Sequence, residues 1–363
     1  MALPRGSGSA SSDESLASFV RRRLGQEALE RMAQPMIGGI YTADPEKLSL
    51  RATMPRFLEM EYKHRSLIRA LRKQDRSLTV REGAAANIET SGARYSLFVS
   101  FDRGMQLLTD KLAERISELH SEIANSNLPG LPIRLNTPVD SLSLENSQSN
   151  DTQEWKIRTE NGETLSADAV CLALPAHVSA ALLRRIDPQL ASNLAEISYA
   201  SSATLNLGYR RSDIPHPLDG FGFVVPFIER RSMIACTFSS VKFLGRAPEG
   251  CVLLRVFVGG ALQPEMLELS EADLLSRVRA DLRDLLGIKS APMFSELRRW
   301  ERSMPQYHVG HLDLVARINE RVASLPQLAL AGNAYSGPGL PDCIRNGEKA
   351  ADELLKPVSS PAS

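Results

Sequence analysis

Three glycines near the end of the chain have the spacing of a ligand-cradling turn. Gly332, Gly337 and Gly339 lie between a short apolar run, residues 328–331, and a helical pattern that starts at about Asp342. The run reads as a buried strand. Pro341 near the first turn and Ala350, Leu354 and Leu355 on an apolar side mark the helix. Strand, glycine turn and helix together aim backbone N–H groups and the positive end of a helix dipole at an electron-rich ligand. Glycine lets the backbone approach that ligand closely. A reduced flavin suits such a cradle, because negative charge gathers on one edge of its ring. An ordinary βα turn has the same spacing, so the pattern alone leaves both readings open. His308 and His311 form a second pair with chemical potential, but HVGH has no third ligand nearby, and a metal is not expected. His64, His120, His177 and His216 are scattered, and the sequence has neither a Ser/His/Asp order nor a nucleophile elbow.

The elements that must position this turn follow from periodicity. Residues 1–14 are rich in Ser, Gly and Ala and are predicted to be a disordered tail. Leu16, Phe19, Val20, Leu24, Ala28 and Met32 recur at helical spacing. Arg21, Arg22 and Arg23 on that helix form either a solvated basic face or a contact for anionic headgroups or substrate carboxylates. Gly38 and Gly39 are expected to break the helix, and Asp44-Pro45 to start another turn. A long helix from Pro55 carries Phe57, Met60, Leu67, Ile68 and Leu71, with Lys63, His64, Arg65, Arg69, Arg72 and Lys73 opposite. It either packs with a solvated face or lies on a membrane surface. A polar loop over 74–94, a strand over 95–101 and an amphipathic helix over 104–123 come next, the last through Leu108, Leu112, Ile116, Leu119 and Ile123. Strands over 133–144, 154–159 and 164–174 follow, with Asn161-Gly162 as a hairpin turn. Helices are predicted over 177–186, 188–197, 271–286 and 311–324. Strands over 203–209, 221–225, 233–238, 252–258 and 294–300 lack intervening helices for the most part, which points to a mixed or antiparallel sheet.

The stretch AGNAYSGPGLPDCIRNGEKAA resembles the C-terminal flavin motif of protoporphyrinogen oxidases, the FAD enzymes near the end of haem synthesis. Further blocks fit the same family in order: SFVRRRLGQEALERMAQPMIGGIYTADPEKLSL, PRFLEMEYKHRSLI, SFDRGMQLLTDKLA, GFGFVVP, RAPEGCVLLRVFVGG and RWERSMPQYHVGH. The resemblance covers nearly everything from Ser15 to Leu355. It implies an α+β fold: the C-terminal part of a p-hydroxybenzoate-hydroxylase-like FAD domain (100–178 and 313–356), a mixed-sheet substrate domain (81–99 and 179–312) and an α-helical membrane-docking domain (15–80). A tail is expected over 357–363. For the cofactor it implies Val139, Trp300, Gly332, Asn333, Pro338, Gly339 and Leu340, and for the substrate Gly39, Val224, Thr237 and Phe257. Taken without the family, Val139 is a buried strand valine, and Val224, Thr237, Phe257 and Trp300 are ordinary core residues. Thr237 stands where some relatives have leucine. Pro338 stands where the family has valine, and having no N–H it cannot donate there.

The implied reaction is the oxidation of a porphyrinogen, protoporphyrinogen IX or coproporphyrinogen III, to the porphyrin. A bridge carbon passes hydride to the flavin, and dioxygen takes the electrons on to hydrogen peroxide. No catalytic acid or base is assigned, because the cofactor carries the chemistry. The family's opening strand, GxGxxG turn and helix have no counterpart in this sequence; Gly6 and Gly8 follow no strand. The chain therefore resembles the C-terminal two-thirds of a family member, and weak or absent FAD binding is expected of it alone. A homodimer or a separate N-terminal FAD-binding chain would supply a partner. The alternatives are a flavin-free remnant that binds a porphyrin or a partner, and an amine-oxidase-like flavoenzyme; GIYTADPEKLS and PQYHVGH favour the porphyrinogen reading.

Composition sets the outer bounds. The length of 363 residues suggests about two domains. The 43 basic and 43 acidic residues cancel, which does not suggest a nucleic-acid partner. No run approaches the roughly 18 apolar residues of a spanning helix, and no signal-peptide core is visible. Cys171, Cys236, Cys251 and Cys343 show no CxxC spacing and are expected to be buried reduced thiols. A cytoplasmic location is expected, and the resemblance adds peripheral contact on the cytoplasmic face of a membrane.

Overall fold

The computed structural model describes residues 13–64, 100–123, 133–146 and 153–356. Expectations over 1–12, 65–99 and 357–363 lie outside those residues, including most of the basic helix after His64, the polar loop and nearly all of the strand over 95–101.

The largest unit is a five-stranded antiparallel sheet. Its strands are β5 (Tyr199–Arg210), β6 (Gly222–Val224), β7 (Ala235–Phe238), β8 (Cys251–Gly259) and β9 (Phe294–Pro305), in the order β6-β7-β8-β5-β9. Alternate residues of a strand point to opposite faces. Ala203, Leu205, Leu207 and Tyr209 of β5 and Val252, Leu254, Val256 and Val258 of β8 therefore share one face, and all are buried. The Glu271–Leu286 helix lays Leu274, Val278, Leu282 and Leu286 into the same cluster. Each such side chain contributes about 1.5–3 kcal/mol by burial. Ser270 caps this helix by accepting from the Asp273 N–H at 3.1 Å, and Gly287 ends it in the left-handed region.

A second core lies between a meander and three helices. β1 (Val139–Asn146), β2 (Gln153–Thr159) and β3 (Thr164–Ala167) pair antiparallel in sequence order. The third expected strand, over 164–174, is in fact two. The chain bends at Asp168, and β4 (Val170–Leu172) leaves the meander to pair in parallel with β10 (Leu328–Leu330). Trp155, Leu183, Leu190, Leu194, Leu314 and Ile318 fill this core. The Pro188–Ala195 helix is capped by Asp187, which accepts from the N–H groups of Gln189 and Leu190 and pairs with Arg321.

The third unit is helical. Leu16, Phe19, Val20, Ile37, Leu48, Leu50 and Tyr307 form its core. Here the structure corrects the sequence reading. The break falls at Gly25, with φ +93°, which ends the Leu16–Leu24 helix. Gly38 and Gly39, expected as breakers, lie inside a continuous Gln34–Tyr41 helix. Two helical glycines cost about 1 kcal/mol each in propensity, and at Gly39 the bare backbone lets the helix approach Val224, where a Cβ would lie 3.3 Å from Cγ1. Asp13, expected in the disordered tail over 1–14, is tied down: its carboxylate accepts from the Ser49 hydroxyl at 2.7 Å and the Gly310 N–H at 2.9 Å. Arg21, Arg22 and Arg23 are paired internally with Glu46, Glu14 and Glu61.

Two further expectations change. Leu112, Ile116 and Leu119 on the Gln106–Ile123 helix are exposed rather than packed, as is Leu355 after the last helix. Of the four cysteines only Cys236 is buried; Cys171 is exposed and the other two are intermediate. Among the described residues, no helix is long and apolar enough to cross a membrane.

The Asp187 cap gives a direct test of this packing. Burial pushes its carboxyl pKa up, but the Leu190 and Gln189 N–H groups and the Arg321 guanidinium more than offset this, leaving it below the usual carboxylate value. Asp187→Ala is expected to destabilise the chain by about 1–2 kcal/mol in urea unfolding at neutral pH, and Asp187→Asn, which keeps a capping oxygen, by less.

Candidate functional site

The glycine turn is built as the spacing predicts, with the helix starting slightly earlier than expected. β10 ends at Leu330, Gly332 has φ +132° and Gly337 φ +146°, and Gly339 is the N-cap of the Leu340–Leu354 helix. A Cβ on Gly337 would stand 2.5 Å from the Asp342 carboxyl carbon, so only glycine fits between the turn and that side chain. The turn is fixed from two sides. Asn346 on the helix accepts from the Gly332 N–H at 2.7 Å. The Tyr307 hydroxyl donates to the Asn333 carbonyl at 2.5 Å. The first N–H groups of a helix have no intrahelical acceptor. Pro341 has none to offer, which leaves the Gly339 and Leu340 N–H groups at the helix start, with the Leu340 side chain exposed.

This turn lies at the carboxyl ends of a parallel pair. β4 and β10 run in the same direction, and the Ala331 N–H donates to the Leu172 carbonyl at 3.1 Å. Ligands of α/β sheets collect at such ends. Half-exposed Leu174 and Val178 follow β4 at the same end.

The second half of the site is the face of the five-stranded sheet left uncovered among the described residues. Val224, Ala235, Phe257, Thr204 and Arg298 are cross-strand partners in turn, as are Gly222, Thr237, Arg255, Asn206 and Glu296. Partners across a ladder share a face. Val224, Thr237 and Phe257 therefore point the same way, away from the core. Trp300, paired with Ser202 on β9, joins them, and its indole N–H donates to the Thr204 hydroxyl at 3.4 Å. Val224 and Trp300 are 42% and 46% exposed, so the core reading of these positions fails. The Gln34–Tyr41 helix walls one end of this face. A Cβ on Gly39 would lie 3.3 Å from Val224 Cγ1, and Gln34 accepts from the Phe227 N–H at 2.8 Å.

The structure thus gathers Gly39, Val224, Thr237, Phe257 and Trp300 about one face, and Gly332, Asn333, Pro338, Gly339 and Leu340 about one turn. Val139 stands apart from both groups. It opens β1 opposite Thr159 and is 41% exposed rather than buried.

Sequence reading missed Tyr307, which links the two halves. It lies two residues beyond the end of β9, which carries Trp300. Its carbonyl accepts from the Ser49 N–H at 2.7 Å, and its ring stacks on His311 with centroids 4.1 Å apart. The PQYHVGH block was a signal that this segment matters, but not of what the tyrosine touches. Asn346 was likewise invisible, since nothing local ties it to Gly332. His308 and His311 are not equivalent. His311 is buried, and burial, reinforced by His308, lowers its pKa to about 4. Burial pushes the Tyr307 hydroxyl up, so it remains a donor at neutral pH.

Two outcomes follow. Tyr307→Phe keeps the ring stack and removes only the donor, leaving the Asn333 carbonyl short of a partner. It is expected to cost about 1–3 kcal/mol and to speed amide hydrogen exchange over residues 332–340 more than elsewhere. For His311, the folded value of about 4 lies below an unfolded value of about 6.5. The unfolded chain therefore binds more protons between them, and stability falls as pH drops from about 6.5 towards about 4. His311→Gln is expected to flatten that fall between pH 6.5 and about 5, measured by urea midpoints, a range in which most carboxylates stay ionised.

Comparison with known proteins places this geometry. The profile described as flavin containing amine oxidoreductase matches residues 6–355. The coproporphyrinogen III oxidase of Bacillus subtilis (strain 168) is 32% identical over 344 residues, covering 94% of this chain and 67% of the relative. That of Propionibacterium freudenreichii subsp. freudenreichii is 34% identical over 363 residues, covering 94% and 64%. The mitochondrial protoporphyrinogen oxidase of Nicotiana tabacum is 27% identical over 360 residues, covering 96% and 69%. The chain thus spans about two thirds of the length of the curated relatives it matches. Among solved structures, a provisionally named protoporphyrinogen oxidase from Exiguobacterium sp. 255-15 superposes with a TM-score of 0.74 at 26% identity, over 97% of this chain and 69% of that one. A reduced UDP-galactopyranose mutase superposes at 0.66 with 14% identity, over 98% and 70%, which shows the fold alone. A mixed α+β architecture, a glycine turn at the ends of a parallel strand pair and a match along nearly the whole chain agree: this chain belongs to the flavin-containing amine oxidoreductase family.

Proposed function

We propose that the chain oxidises a porphyrinogen to the porphyrin with FAD and dioxygen, and that coproporphyrinogen III is the preferred substrate. The observation that carries this reading is the match of 32–34% identity to coproporphyrinogen III oxidases over 94% of the chain, against 27–28% for the protoporphyrinogen oxidases. The open sheet face supports it, since a four-pyrrole macrocycle, puckered at its saturated bridges in the porphyrinogen and flat in the porphyrin, needs a broad apolar floor, and Val224, Phe257 and Trp300 offer one.

The turn has the donors that a flavin ring edge requires. Gly339 and Leu340 present N–H groups and the positive end of a 15-residue helix, and Pro338 presents only its carbonyl. Gly332 and Asn333 set the turn's path, with Asn346 and Tyr307 holding them. Trp300 would flank the ring from the sheet side. When bound, FAD supplies a two-electron acceptor that dioxygen can restore. The chain's own residues do the rest: Gly39 leaves room beside Val224, Thr237 lines the floor, and Phe257 offers a face to the macrocycle. Val139 would bear on the adenine end through its backbone. The helical unit and its peripheral contact with a membrane, in the cytoplasm, belong to the same proposal.

The test is anaerobic preparation of coproporphyrinogen III and protoporphyrinogen IX, then aerobic oxidation by the purified chain with FAD in excess. Porphyrin fluorescence should rise faster than without protein, more steeply for coproporphyrinogen, with peroxide formed alongside. No acceleration with either substrate would sink the reading. Gly39→Leu, which fills the space against Val224, is expected to raise KM at least about tenfold while leaving the melting temperature nearly unchanged.

A further inference from the structure

The proposed oxidation gives no task to two guanidinium groups on the open sheet face. Arg255 on β8 pairs with Thr237 and Asn206, and Arg298 on β9 pairs with Thr204. They share the face that carries Val224, Phe257 and Trp300, and both are exposed. The register puts them on either side of β5. That is two strand spacings, about 10 Å, with an offset of two residues, about 7 Å, along the strands.

Each is held without being neutralised. Arg255 donates its Nε–H to the Asn206 carbonyl oxygen at 2.9 Å, which orients the fork and leaves its terminal N–H groups without an acceptor among the described residues. Arg298 lies over the Trp300 ring at 5.6 Å from the centroid and has no ion-pair partner among the described residues. The one carboxylate on this part of the face among the described residues, Glu296, accepts from the Asn206 amide at 3.3 Å, so the asparagine stands between it and Arg255. On the opposite face, by contrast, Arg299 spends its terminal N–H groups on the Leu267 and Leu269 carbonyls.

Planar forks with free N–H groups at the rim of an apolar floor match one kind of ligand: a flat ring system with carboxylates at its edge. We infer that Arg255 and Arg298 bind rim carboxylates of the tetrapyrrole and make this site select the substrate that carries more of them. The inference rests on the porphyrinogen reading and deepens it. Coproporphyrinogen III carries four propionates around its rim, whereas protoporphyrinogen IX keeps two of them and has vinyl groups in place of the others, so cations on both sides of β5 favour the substrate with carboxylates on more sides of the ring.

Equilibrium binding tests this without turnover. The purified chain is titrated with coproporphyrin III and, separately, with its fully methylated ester, following the porphyrin's visible absorption and the quenching of tryptophan fluorescence. The parent chain should bind the acid at least about tenfold more tightly than the ester. Arg255→Gln and Arg298→Gln should each weaken the acid about tenfold and leave the ester unchanged, with melting temperatures near the parent's. Arg255→Lys should recover only part of the loss, because an ammonium lacks the fork. Variants that bind the acid as tightly as the parent overturn the inference while the porphyrinogen reading stands. A parent chain that binds neither porphyrin overturns both.

Discussion

One hydroxyl sets the geometry between the two halves of this molecule. Tyr307 donates it to the Asn333 carbonyl in the glycine turn, while its own carbonyl accepts from the N-cap of the Leu50–Thr53 helix and its ring rests on His311. The residue belongs to the core of the helical unit and lies two residues beyond the sheet's edge strand. A buried carbonyl left without a donor is costly, by about 1–3 kcal/mol, so the turn is held at one distance from the strand that carries Trp300. The stacked imidazole is kept neutral by burial, which spares the site an unpaired charge beneath the turn.

The five-stranded sheet shows how one pattern makes both a core and a site. Every second residue of β5 and β8 is buried against the Glu271–Leu286 helix. The residues between them face outward and are of mixed character: Thr204, Asn206, Arg255 and Phe257. A sheet that served only as scaffold would carry polar groups there. Instead Val224, Phe257 and Trp300 lie among the polar positions, and exposed apolar groups clustered on one rigid face mark an interaction surface. Antiparallel ladders on both sides of β8 and β5 fix these side chains, which gives the face the rigidity that a binding site needs.

Local features were readable in the sequence and long-range ones were not. The run over 328–331, the glycines and Pro341 sit within one short stretch, so the strand, turn and helix could be placed from spacing. The Glu271–Leu286 helix and the strands of the large sheet were legible from periodicity for the same reason. Gly38 and Gly39 misled because helix propensity is a weak prior. The helix tolerates both, and at Gly39 the missing side chain is what lets Val224 approach. The pairing of β4 with β10, the partners of Arg21 to Arg23 and the grip of Tyr307 on Asn333 all join residues far apart in sequence, and no local pattern encodes them. The open face was ambiguous for a different cause. Apolar residues occur at both parities along β6 and β8, so alternation could not say which set faced the core until the Glu271–Leu286 helix was seen to cover one of them.

The inventory of that face also explains why no catalytic acid or base is evident in the sequence. Among the described residues, its titratable side chains around the apolar floor are Arg255, Arg298 and Glu296. Arginine stays protonated in proteins and cannot act as a base, and Glu296 is engaged by Asn206. The turn, residues 331–339, contains no carboxylate, histidine or basic side chain, and Asp342 beside it is paired with Arg345. A site so furnished is poor at moving protons through side chains and well suited to holding a flat, anionic, electron-rich ligand against an electron acceptor. That division of labour is what membership of a flavin-dependent family leads one to expect: the protein supplies distance, orientation and charge at the rim, and its strand geometry fixes all three.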